Sequence, residues 1–196
     1  MAQYVYFFGG GKADGNKDMK DTLGGKGAGL AEMTNAGLPV PPGFTITTAA
    51  CNLYQERGGS LTPEIEKEIG KNLEQLESLM GKKLGDPSDP LLVAVRSGAK
   101  FSMPGMMDTI LNLGLNPRSA RGLAEASGNP RFAADSHRRF VQMYANVVLG
   151  VPSDVFEDAL TRAKSARGVA GDVDLDAAAL EELIQEFLRI SRDHTG

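Results

Sequence analysis

Leu91-Leu92-Val93-Ala94-Val95-Arg96-Ser97-Gly98-Ala99 is the stretch on which the reading of the fold turns. Its first five residues are apolar without alternation, so the pattern predicts a central strand over 91–95, buried on both faces. Residues 96–109 then read as a glycine- and methionine-rich loop, and Ile110-Leu111-Asn112-Leu113-Gly114 alternates like a returning strand. Upstream, Tyr4 to Phe8 is a β-rich run ended by Gly9-Gly10-Gly11. Pro41-Pro42-Gly43 turns the chain into a short strand, Phe44-Thr45-Ile46. Between these runs, 12–20 is a polar loop. Leu23 to Met33 reads as a helix with Leu30 and Met33 on one face, stopped by Gly37 and Pro39. Thr47 or Thr48 caps a further helix running to Gln55 and closed by Gly58-Gly59. Thr62-Pro63-Glu64 opens another, with a capping hydroxyl, a proline in the first turn and an acid at the positive dipole end. Its buried stripe is Ile65, Ile69, Leu73, Leu76 and Met80.

From Pro117 onward strand signals vanish. Arg131 to Leu149 carries Phe132, Phe140, Tyr144, Val147 and Val148 on neighbouring helical faces. Ser153 caps a helix holding Val155, Phe156 and Leu160, and Asp176 to Arg192 carries Leu180, Leu183, Ile184, Phe187 and Ile190. The prediction is an α+β fold: a small sheet with helices over 1–114, followed by an all-helical subdomain over 115–196. A net charge of −4 gives no basic face for a nucleic-acid partner. No run reaches the ~18 apolar residues that span a bilayer, and the first residues lack the basic start of a signal peptide. Cys51 is the lone cysteine, which excludes an internal disulfide and any metal site built on several cysteines. A reducing cytoplasm is the expected compartment.

Two short motifs can carry chemistry. Leu23-Gly24-Gly25-Lys26-Gly27 opens a predicted helix. Its glycines let backbone N–H groups approach a phosphate, the helix end adds partial positive charge, and Lys26 adds a full one. It is not a P-loop, since position 20 is lysine and position 27 is glycine where that pattern needs glycine and Ser/Thr. Taken alone, the motif fits a plain turn as well as a phosphate site. Arg96 stands at the carboxyl end of the 91–95 run, where open α/β sheets put their ligands, and its planar fork suits phosphate oxygens. A structural ion pair with a buried carboxylate is the alternative.

A third segment, Lys100-Phe101-Ser102-Met103-Pro104-Gly105-Met106-Met107-Asp108-Thr109, puts methionines around a Pro-Gly turn. It is either a loop folded back on itself or a flap whose amides close over phosphates. Gly24-Gly25-Lys26-Gly27, Val95-Arg96-Ser97-Gly98-Ala99 and Ser102-Met103-Pro104-Gly105-Met106-Met107-Asp108-Thr109 together resemble the N-terminal ATP-binding region of the pyruvate, phosphate dikinase family. Gly37-Leu38-Pro39-Val40-Pro41-Pro42-Gly43-Phe44 and Asp89-Pro90-Leu91-Leu92 extend the resemblance. It is dense over 1–116 and looser beyond. Water dikinases, such as phosphoenolpyruvate synthases, share the Gly-Gly-Lys and Val-Arg-Ser patterns, but the methionine stretch favours the pyruvate, phosphate enzymes.

The resemblance implies a partial ATP-grasp lobe over 1–114 and phosphoryl transfer from ATP, with inorganic phosphate and pyruvate, to give AMP, pyrophosphate and phosphoenolpyruvate. It implies that Lys26 and Arg96 neutralise ATP phosphate oxygens, Arg96 as the catalytic residue, and that Ser102 and Gly105 belong to the covering loop. Mg2+ ligands, the second ATP-grasp lobe and the phosphohistidine domain are expected outside this chain, with a homodimeric full-length enzyme. The chain by itself is expected to be inactive, and its last residues read as a cut at a subdomain edge. A different ATP-using parent, such as a water dikinase or an antibiotic phosphotransferase, and a stand-alone binding module are the competing readings. His137 and His194 are expected at the surface, and no metal site is expected among 117–196.

Overall fold

The computed structural model describes residues 2–98 and 108–196, which fall into two compact units. Of the described residues, the first unit holds 2–81 with 97–98, and the second 82–96 with 108–196.

In the first unit, β1 (Val5–Gly9), β2 (Lys12–Ala13) and β3 (Gly43–Ile46) form an antiparallel sheet in the order β2-β1-β3. The register pairs Phe8 with Ala13 and Val5 with Ile46. Helices α1 (Lys20–Asn35), α2 (Thr48–Glu56) and α3 (Pro63–Met80) complete the unit. The polar 12–20 segment is tied at several points. Asp14 Oδ2 accepts from the Phe7 N–H, and Asn35 both accepts from the Ala13 N–H and donates to the Gly15 carbonyl. Thr47 caps α2 and Thr62 caps α3, each hydroxyl accepting an orphan N–H. On α3, Ile65 and Leu76 are buried and Ile69 and Leu73 half-buried, but Met80 lies out in solvent at 43% exposure. Glu68 Oε2 accepts from the N–H groups of Tyr4 and Val5, fastening the start of β1 to α3.

α1 ends as its glycine and proline predict. The Leu38 N–H reaches the Met33 carbonyl and the Gly37 N–H the Thr34 carbonyl, closing the last turn around Gly37. Its buried face differs from the one marked by Leu30 and Met33. Gly27, Ala28, Ala31 and Thr34 are inside, and Met33 is 40% exposed. Small residues are what a helix buries when it lies close against a sheet.

The second unit begins with β4 (Lys83–Leu84), β5 (Pro90–Leu91), β6 (Val93–Arg96) and β7 (Thr109–Leu113). β4 and β5 pair in parallel, and β6 and β7 antiparallel. Thus the 91–95 run is not one central strand. It breaks at Leu92, serves two separate ribbons, and leaves Val95 47% exposed. Among the described residues each ribbon has two strands, and none pairs with β6 on the side away from β7. β7 carries one extra residue, Asn112 at φ 60, and its side-chain amide donates to the Ser136 carbonyl.

Helices α4 (Pro117–Ser127), α5 (Pro130–Val147), α6 (Ser153–Arg167) and α7 (Ala177–Thr195) follow, with a 3-10 turn at Asp172–Asp174. Asn116, Asn129 and Asp176 cap α4, α5 and α7. Ser153 is the first residue of α6 rather than its cap, since Pro152 holds the cap position without a side-chain bond. The core gathers Val141, Ala145, Phe156, Leu183, Ile184 and Phe187, with Phe156 and Phe187 edge-on at 4.8 Å. The division of the chain does not coincide with 1–114 and 115–196. β7 lies against α5, and a Cβ on Gly122 of α4 would come within 2.0 Å of the Pro87 carbonyl oxygen. The ribbons therefore pack with the helices.

α5 buries two charged or titratable groups. Arg138, 3% exposed, donates to Asp135 at 2.7 and 3.0 Å and to Gln142 at 3.1 Å. Burial pushes the Asp135 carboxyl up, but hydrogen bonds and charge from Arg138 and Arg139 outweigh it and hold the group below its ordinary value. His137, expected at the surface, is 7% exposed, because residue 137 turns onto the same face as Ala133, Ala134 and Val141. His194 is exposed as expected.

Burial pushes the His137 imidazole below its ordinary 6.5. Near that pH the unfolded chain binds a proton that the folded chain refuses. Stability present above it is lost as pH falls toward the lower folded value. The unfolding free energy in urea is expected to drop as pH falls through and below 6.5, by at most about 1.4 kcal/mol per pH unit. His137→Gln should flatten that slope, and an unchanged slope would refute the assignment.

Candidate functional site

The site is built around a break in α1. Gly24 sits at φ 69 and ψ 170, a conformation outside the helix that residues with a Cβ rarely adopt. The regular hydrogen-bond ladder stops there and a fresh helix starts behind it. Gly25, Lys26 and Gly27 are thus the first residues of helical geometry behind the break, at the end where the helix dipole is positive. Sequence alone placed the glycines at a helix start; the structure puts the start after Gly24 rather than before it.

Gly27 answers a different need. A Cβ there would stand 2.8 Å from Thr45 Cγ2, 2.9 Å from Thr45 Oγ1 and 3.1 Å from Leu23 Cβ. Only a residue without a side chain lets α1 settle this closely on β3. Thr45 was not singled out by its sequence, although the alternation of Phe44-Thr45-Ile46 puts it on the face opposite Phe44.

Lys26 is half-buried, and its Nζ donates to the carbonyl of Ser97 at 3.3 Å. An ammonium has three donors, so this bond leaves others for a further acceptor. The Ser97 carbonyl is a partner no residue pattern could have revealed, since it is a backbone group 71 positions away.

Arg96 ends β6 in register with Thr109 and is exposed. It stands at a strand's carboxyl end as read, but on a largely exposed strand of a ribbon rather than a buried central strand. Arg96 belongs to the second unit and Lys26 to the first. Ser102 and Gly105 lie outside the described residues, as does most of the methionine segment.

Among the described residues, no three His, Cys, Asp or Glu side chains gather as a metal ion would require. None of the helices described is long and apolar enough to cross a membrane. Cys51 is a free, exposed thiol.

Residues 20–161 match the family model described as pyruvate phosphate dikinase, AMP/ATP-binding domain. The chain is 53% identical over 195 residues to pyruvate, phosphate dikinase 2 of Zea mays, covering all of this chain and 22% of that protein. It is 52% identical over 193 residues to the pyruvate, phosphate dikinase of Clostridium symbiosum, covering 98% of this chain and 22% of the relative. Against the enzyme of that name from Rhizobium meliloti (strain 1021), identity is 50% over 187 residues, or 95% of this chain and 21% of the relative. The chain therefore spans about a fifth of the length of these relatives.

The close approach at Gly27 is open to a stability test. Gly27→Ala is expected to cost about 1–3 kcal/mol by overpacking against Thr45. Gly29→Ala, two residues on and facing open space, should be neutral or gain up to about 1 kcal/mol of helix propensity. Equal effects in urea unfolding would show that α1 does not press on β3 at residue 27.

Proposed function

The chain belongs to the pyruvate phosphate dikinase, AMP/ATP-binding domain family, and from that premise we propose that Lys26 and Arg96 hold the phosphates of ATP. In this reading the ammonium of Lys26 and the first-turn amides of Gly25 to Gly27 take phosphate oxygens on one side. The guanidinium fork of Arg96 takes them on another and is the catalytic group, since it stabilises charge on the oxygens of the transferring phosphoryl. Ser102 and Gly105 belong to the loop that covers them. Phosphoryl transfer leaves little covalent work to the protein, so positioning and charge account for most of the catalysis.

The full-length protein, in the same proposal, converts ATP, inorganic phosphate and pyruvate into AMP, pyrophosphate and phosphoenolpyruvate. A histidine on a separate domain carries the phosphoryl group between sites. Magnesium is bound by carboxylates of a second ATP-grasp lobe, and residues 1–114 supply part of the first. The described residues of this chain hold no ligand cluster for the metal. A homodimer in the cytoplasm completes the picture, and the exposed, unpaired Cys51 suits a reducing compartment.

The observation that carries the reading is the placement of Lys26. It combines a full positive charge, a helix start and a glycine turn at one spot, which is the chemistry an anion asks for. In the full-length protein, Lys26→Ala and Arg96→Ala are each expected to cut kcat/KM for ATP by about 10²-fold. Unchanged ATP dependence in both would overturn the assignment. The 196-residue chain alone is expected to show no pyruvate-dependent turnover of ATP.

A further inference from the structure

From the β3–α2 corner we infer that Thr48 is a positioning residue for the glycine turn, acting through its hydroxyl on the segment that precedes the break. The inference rests on the phosphate reading of Lys26. Thr48 Oγ1 donates to the Asp21 carbonyl at 2.7 Å. Asp21 lies three residues before Gly24, in the short turn that Met19 starts by accepting from the Thr22 and Leu23 N–H groups. The bond therefore ties the near side of the break to α2.

The base of this tether is fixed. Thr47, 1% exposed, donates its N–H to the Tyr4 carbonyl at 2.9 Å, and its hydroxyl accepts the Ala50 N–H as the cap of α2. Thr47 thus anchors α2 to β1 and satisfies the helix end by itself. Thr48 has no part in that cap, and its hydroxyl is spent on another element. Two adjacent threonines divide the work: one holds its own helix, the other reaches across to α1.

The need for such a tether follows from the glycines. Gly24 and Gly25 carry no Cβ, so the backbone between Asp21 and Lys26 has more freedom to lose than any other pair of residues would give it. The far side of the break is located by Gly27 against Thr45. With Asp21 held as well, the turn is gripped on both sides, and Lys26 enters its first helical turn from a defined direction. The Lys26 bond to Ser97 is long, 3.3 Å, and cannot do this alone. Tethering of this kind organises the site before the nucleotide arrives, so its loss falls on ATP binding rather than on the chemical step.

The test uses the full-length protein, assayed by pyruvate- and phosphate-dependent AMP formation with ATP varied. Thr48→Val keeps the shape and removes the hydroxyl; Thr48→Ser keeps the hydroxyl. Thr48→Val is expected to raise KM for ATP about fivefold, the size of one net hydrogen bond, with kcat within about twofold. Thr48→Ser should restore the wild-type KM. An unchanged KM in Thr48→Val beside a raised KM in Lys26→Ala overturns the tether and leaves the phosphate reading standing. An unchanged KM in Lys26→Ala removes the reading on which the tether rests, and both fall. Equal impairment in Thr48→Ser, which keeps the hydroxyl, and Thr48→Val, which lacks it, shows that the hydroxyl does not carry the effect and overturns the tether, as does a lower melting temperature or kcat with KM unmoved.

Discussion

Helix α1 lies so near β3 that residue 27 has no space for a single carbon beyond its backbone. Much of the first unit follows from that closeness. Beyond the break, the buried face of α1 is made of Gly27, Ala28, Ala31 and Thr34, because larger side chains there would hold the helix off the sheet. The break at Gly24 then decides where the regular helix resumes, and so where the positive end of its dipole lies. Lys26 sits there with its ammonium on the Ser97 carbonyl. A longer separation between α1 and β3 would admit a side chain at 27 and would move the lysine with it.

The second unit is organised around α5, which meets α4, α7 and β7. It buries a charge on the way. Arg138 is nearly sealed from solvent, yet every hydrogen bond recorded for it stays on its own helix, to Asp135 three residues back and Gln142 four residues on. Such a pair repays part of its desolvation through two short bonds, from Nε and Nη2 of Arg138 to the one Asp135 Oδ1, although a buried ion pair is not by itself a strong source of stability. Breaking it would leave an uncompensated charge beside Ala134 and Val141, which makes the helix intolerant of one-sided change. The ribbons are drawn into this unit by backbone proximity, Gly122 of α4 resting on the Pro87 carbonyl.

Local physics made a large share of the fold legible. Thr47, Thr62 and the glycine after α1 acted as caps and stops, since a cap needs only a few neighbouring residues. The stripe of α3 and the helices after Pro117 declared themselves through periodicity. The misreadings have one origin. The 91–95 run looked like a doubly buried strand because hydrophobicity was taken for burial, whereas the chain breaks at Leu92 and pairs with two different partners. His137 looked like a surface residue beside Arg138 and Arg139, whereas the helix turns both His137 and Arg138 inward. The division at 114 rests on the change from strand to helix signals, whereas compactness follows packing, which joins β7 to α5.

The sequence by itself determined the α+β character, the helix ends, the family, and Gly24-Gly25-Lys26-Gly27 as an anion-binding candidate, because each of these rests on residues close together in the chain or on a pattern of exact identities. Only the tertiary structure decided that Gly24 breaks the helix, that Thr45 makes glycine obligatory at 27, that Thr48 reaches Asp21, and that Lys26 finds the Ser97 carbonyl. Those partners are separated by 18 to 71 positions, and two of them are backbone carbonyls. A carbonyl is the same group at every residue, so no side-chain pattern announces which one will be met; the packing of helices on strands chooses it.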